Sequence, residues 1–221
     1  MRSILIALVL LFVVSSIASA ELLSTAMPLG QGKWGVLGAG IRDMNHSNTS
    51  DWYLTTYGGY VGYGLTDKLD AYLQLGSATA GGLPAGLEMS GILYAISLKY
   101  TVLEEGNNMP VSVSVGAGYR SGSRREKIIT ETNFNDTQIM AGVGVSKVFA
   151  PFIPYGAIAY RSNSTNGNDA GTQLDITLGS AIAWSTQGAV YVEYTSQSIT
   201  PKPAGNNYTS GQIALGVGYI I

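Results

Sequence analysis

Apolar and polar residues alternate along most of this chain with a period of two, the mark of strands with two unlike faces. The alternation is cleanest over 173–184. There Leu174, Ile176, Leu178, Ile182 and Trp184 share one parity, and Gln173, Asp175, Thr177, Gly179, Ala181 and Ala183 the other. On a pleated strand those sets point to opposite faces. Over 90–102, Ile92, Tyr94, Ile96, Leu98, Tyr100 and Val102 oppose Gly91, Ala95, Ser97, Lys99 and Thr101, with Leu93 as the exception. The stretches 110–120 and 212–221 repeat the split. Ten segments of this kind can be drawn: 33–42, 53–66, 69–78, 89–103, 110–121, 137–149, 155–162, 172–185, 189–198 and 209–221. Glycine and alanine blur the parity of the first and the seventh.

The connectors at 66–68, 104–109, 150–154 and 186–188 are short. Those at 43–52, 79–88, 122–136, 163–171 and 199–208 are longer and more polar. Short and long alternate strictly, as in an up-and-down meander whose two ends face different compartments. An even strand count puts both termini at the short-turn end. The predicted fold class is all-β: a closed antiparallel up-and-down transmembrane β-barrel of about ten strands, with eight or twelve as the alternative counts.

A soluble barrel would turn its apolar parity inward and display charge outside. Here the polar parity is mostly Gly, Ser, Ala and Thr, which suits a crowded lumen better than a solvated exterior. The apolar parity is nearly free of charge, as lipid requires, because Lys or Arg at the bilayer midplane costs about 2–4 kcal/mol. Aromatic residues collect at strand ends. Tyr63, Tyr100, Phe149, Tyr155, Trp184 and Tyr219 lie near the short turns, and Tyr53, Tyr119, Tyr160, Tyr194 and Tyr208 near the long ones. Two such bands are expected to be interfacial girdles.

Composition agrees with this assignment. Of 221 residues, 12% are charged and 29 are glycine, too little charge for a disordered chain and too much glycine for an ordinary soluble core. A net charge of −2 argues against a nucleic-acid partner. With no cysteine and one histidine, His46, no metal site and no cofactor is expected. Arg2, the apolar run over 4–14 and Ala18-Ser19-Ala20 read as a cleavable signal peptide over 1–20. Residues 21–32 then form a short periplasmic segment ahead of a barrel over 33–221.

Gly216-Val217-Gly218-Tyr219-Ile220-Ile221 resembles the C-terminal β-signal of bacterial outer-membrane proteins, although those usually end in an aromatic residue and this chain ends in Ile221. The resemblance implies that Gly216, Tyr219 and Ile221 address the chain to the barrel-insertion machinery. Tyr63-Gly64-Leu65-Thr66-Asp67-Lys68-Leu69 is similar to a periplasmic turn of OmpA-type and related porin-like small barrels. A Gram-negative outer-membrane location follows, with loops outside, both termini periplasmic and membrane lipid as a partner.

By parity Asp70, Lys99, Arg120, Asp175 and Glu193 project into the lumen, and Arg161 joins them if the blurred parity of the seventh segment follows its charge. They are expected either to form ion pairs that fill or gate it, or to line it as separate hydrated charges. Asp70 with Lys99, and Arg120 with Asp175, are the pairs suggested by position. Arg120, Arg124, Arg125 and Lys127 could contact lipopolysaccharide phosphates or simply solvate a loop beside Glu126 and Glu131. His46, near Asp43 and Asp51, loosely resembles the acid–histidine sites of omptin proteases, but the chain is shorter and lacks a second acidic pair. The expected role is structural or surface-interacting, with a narrow passive channel as the alternative and an enzyme behind both.

Overall fold

The computed structural model describes residues 25–47, 50–83, 88–106, 108–127, 131–202 and 207–221. The signal-peptide assignment falls outside them. Ten strands follow one another: β1 (Trp34–Ser47), β2 (Ser50–Gly64), β3 (Leu69–Gly81), β4 (Glu88–Leu103), β5 (Ser112–Lys127), β6 (Glu131–Ser146), β7 (Phe152–Thr165), β8 (Asn168–Ala183), β9 (Gly188–Pro201) and β10 (Tyr208–Ile220). Each pairs antiparallel with its chain neighbours, and β1 pairs with β10 from Gly35↔Ile220 to Met44↔Gly211, which closes the barrel. Closure leaves no open edge, the condition for a sheet to sit in hydrocarbon.

The barrel is inverted relative to a water-soluble one. Leu75, Ile92, Ile96, Ile139, Leu178 and Leu215 are each 57–65% exposed on the outer face, while Asp70, Thr101, Ser114 and Asp175 are at most 1% exposed inside. Leaving one large apolar side chain in water forfeits about 1.5–3 kcal/mol. A surface carpeted with them is stable only against lipid.

The strands outrun the sequence-drawn segments at the end away from the termini. They are 13–16 residues long, beyond the ~9–11 that cross a bilayer. Much of the connectors drawn over 43–52, 122–136 and 163–171 is therefore ladder, with tips such as Ser47↔Ser50, Lys127↔Glu131 and Thr165↔Asn168. The reason is physical. Beyond the bilayer both faces meet water, so the apolar parity vanishes while the hydrogen-bonded ladder continues. The β7–β8 tip turns on Asn166 (φ 51°) and Gly167 (φ 80°), the paired left-handed conformation of a type I′ hairpin.

Candidate functional site

The lumen is divided into layers, legible from inward residues read upward from the short-turn end. Along β1, Gly35 and Leu37 line an inner cavity, Ala39 and Ile41 form an apolar layer, and Asp43 lines an outer cavity. Along β10 the same order is Gly218, Ala214, then Gln212 and Ser210. The apolar layer is completed by Tyr60 and Leu93. Leu93, the exception to parity in its segment, is thus an inward residue of the closure.

At the inner mouth, residues 25–32 fold back across the lumen. Ala26 is fully buried, donating its N–H to Ser146 Oγ (3.1 Å) and accepting from Thr101 Oγ1 (3.1 Å) through its carbonyl. Lys99 Nζ donates to the carbonyls of Met27 (2.7 Å) and Thr25 (3.2 Å), and lies 3.4 Å from Asp70 Oδ2. Asp70 in turn accepts from the Leu29 N–H (3.2 Å) and the Tyr72 hydroxyl (3.1 Å). The pair therefore clasps backbone as well as neutralising itself, which satisfies the remaining valences of two buried charges. At the rim Gly32 N–H donates to the Gly64 carbonyl (2.9 Å), and a Cβ on Gly64 would strike the Gly30 carbonyl. Only glycine lets the segment approach there.

Between the mouth and the outer cavity, Tyr155 donates its hydroxyl to Glu193 Oε2 (2.7 Å), and Thr177 and Thr195 share a hydrogen bond (2.8 Å). Tyr155 corrects the girdle assignment: it is 5% exposed and faces inward with Ala159 and Arg161. On β7 small residues occupy both parities, so the side of a tyrosine there is set by register and not by pattern. Tyr60, Tyr72 and Tyr191 also point inward, a feature missed although Tyr72 and Tyr191 share the parity of Asp70 and Glu193.

The outer half of the lumen is polar. Arg161 Nε lies 2.5 Å from Asp175 Oδ2, and Arg161 Nη1 donates to Gln138 Oε1 (2.8 Å). Gln138 continues to Asn163 (2.6 Å), and Gln173 donates to Asp175 Oδ1 (2.7 Å). Asp175 thus meets Arg161, its diagonal neighbour across β7 and β8, whereas Arg120 stands three strands away on β5. Arg120 lines two adjoining outer cavities of about 170 and 280 Å³, and Asp43 lines the first.

On the outside, Tyr100, Phe149, Trp184 and Tyr219 are exposed at the short-turn end, and the Tyr63 ring lies against that of Trp34, centroids 4.7 Å apart and planes tilted by 46°. Tyr119, Tyr160 and Tyr194 are exposed farther up, with Arg42 set over the Tyr53 ring at 3.8 Å. The side chain of Tyr208 lies outside the described residues. In the upper β5–β6 hairpin three of the four cations of the predicted cluster meet an acid, Arg124 with Asp136 (2.8 Å) and Glu126, Arg125 with Glu131 (3.1 Å) and Lys127 with Glu88 (3.8 Å), while Arg120 turns into the lumen. The backbone of His46 pairs with Asp51, and both side chains lie outside the described residues. Gly216 faces inward beside Ala39, Tyr219 outward, and Ile221 pairs its backbone with Trp34 beyond the end of β10.

No protein-family model and no curated protein matches this chain. Among solved structures it is similar to the β-domain of the Bordetella autotransporter BrkA, with a TM-score of 0.56, 14% identity, and coverage of 85% of this chain and 98% of that one. It is also similar to the translocator domain of the autotransporter NalP from Neisseria meningitidis, at TM-score 0.53 and 11% identity over 86% of this chain and 88% of that one. The N-terminal barrel of OprF from Pseudomonas aeruginosa aligns at TM-score 0.37 and 16% identity, covering 87% of this chain and 99% of that one. The fold is that of a small outer-membrane β-barrel. At these identities the kinship is one of architecture, and the barrel's role has to be argued from its own lumen and surface.

Proposed function

We propose that this chain is a non-enzymatic, integral outer-membrane barrel whose lumen is closed and whose work is done by its outward-facing end. The observation that carries this reading is the double closure of the lumen: the apolar layer of Ile41, Tyr60, Leu93, Ala39 and Ala214, and the segment 25–32 clasped by Asp70 and Lys99 beneath it. Solute crossing the barrel would have to displace both. Acyl chains of the outer membrane cover the apolar band, and the barrel-insertion machinery reads the C-terminal strand. The tips of β1–β2, β5–β6 and β7–β8 present the surface that meets lipopolysaccharide headgroups and external partners. Cavities on both sides of the apolar layer, the outer one polar, favour a narrow passive channel as the second reading.

Location and orientation are testable together because the chain contains no cysteine. Gly167→Cys at a β7–β8 tip is expected to react with a membrane-impermeant maleimide on intact cells. Gln187→Cys in a short turn is expected to react only after lysis. Equal labelling of both, or release of the protein into the soluble periplasm, contradicts the assignment.

A further inference from the structure

The outer cavity carries two opposite charges, Arg120 and Asp43, that attract each other without forming an ion pair. Arg120 has no hydrogen bond or ion pair among the described residues, although it lines both outer cavities. Arg120 is only part-buried, and a guanidinium that faces a cavity without a hydrogen-bond partner among the described residues is open to a ligand there. Asp43 lines the same 170 Å³ space. Its Oδ1 accepts from Gln212 Nε2 at 2.6 Å, and its Oδ2 has no partner among the described residues. The other charges nearby are occupied, since Arg161 and Asp175 hold each other. Gln197 and Ser210 add neutral hydrogen-bonding groups to the wall.

We infer that this cavity binds a small zwitterion of the α-amino-acid class, its carboxylate on Arg120 and its ammonium on Asp43. A simple anion would gain Arg120 and meet Asp43 as a like charge, and a simple cation would meet the converse. Only an occupant with both charges satisfies both groups, because a guanidinium suits a carboxylate in a forked arrangement and Asp43 Oδ2 is a free acceptor. The volume is ample, since a single water needs only about 10–15 Å³ of such space. Ile41, two residues below Asp43 on the same inward face, belongs to the layer that floors the cavity. The occupant is therefore held and not passed on.

The test uses the refolded full chain in detergent micelles, with ligand-observed saturation-transfer NMR. L-alanine is expected to bind saturably. Propionate, which lacks the ammonium, and propylamine, which lacks the carboxylate, are expected to bind at least ten-fold more weakly, and glycerol likewise. Arg120→Gln and Asp43→Asn should each weaken L-alanine by ten-fold or more, with heat-modifiable gel migration showing that each variant is folded. If a variant does not fold, the ligand series on the unaltered protein decides alone. No binding of L-alanine, equal binding of propionate, propylamine or glycerol, or full binding by folded Arg120→Gln overturns the proposal. The readout does not depend on conductance, so it stands or falls apart from the closed-lumen reading.

Discussion

Lys99 and Asp70 are 4% and 0% exposed, so both charges depend on protein partners. Replacing Lys99 with Met leaves Asp70 buried beside an apolar side chain, at an expected cost of about 3–5 kcal/mol. The double variant Lys99→Met, Asp70→Asn should recover part of that loss, because no charge is then stranded. Urea unfolding in lipid vesicles measures both, and a single variant as stable as the parent would show that the clasp is dispensable. Glu105, in the turn between β4 and β5, offers a test by pH. The Val148 N–H (2.8 Å), with help from the Lys147 ammonium (3.2 Å), holds its carboxyl below the ordinary 4.5. A depressed carboxyl contributes stability that is complete above 4.5 and fades as pH falls through the lower folded value. An NMR titration of Glu105 should have its midpoint below 4.5, and a midpoint at or above it contradicts the contact. At this scale parity turns Asp70, Lys99, Arg120, Asp175 and Glu193 inward, but Asp43 was missed as a lumen charge because its stretch of β1 reads as a polar connector. Parity could not show that Asp175 meets Arg161, because the partner depends on the relative register of β7 and β8, nor that Arg120 is left facing a cavity.

At the scale of elements, the β7–β8 hairpin depends on two consecutive left-handed residues, Asn166 and Gly167. Gly167→Val places a branched side chain at φ 80° and is expected to cost about 1–2 kcal/mol locally. Hydrogen exchange should then rise at the tip, around Thr165 and Asn168, and remain unchanged at Ile158↔Ile176 lower in the same ladder. Uniform loss of protection along both strands would mean that the extension is not an independent local unit. The strands were countable from sequence because lipid demands an unbroken apolar parity over each crossing. Their upper ends were not, since that demand stops at the membrane surface. Asn166-Gly167 was the available signal, a turn dipeptide inside what composition alone presents as a polar loop.

For the molecule as a whole, a ten-strand barrel encloses more space than side chains of eight strands nearly fill, so its interior has to be occupied or left open. This chain occupies it with layers: backbone of residues 25–32 at one end, an apolar layer above, and hydrogen-bonded glutamine, arginine and aspartate beyond. The segment ahead of β1 carries no period-two pattern, so its place inside the barrel was invisible in the sequence. It became visible only once Thr101, Ser146 and Lys99, far apart along the chain, were seen to converge on its peptide groups. Planar-bilayer recording of the purified full chain addresses this closure most directly. The layered lumen predicts no channel events above the lipid baseline. Discrete, reproducible openings from the unaltered protein would contradict it.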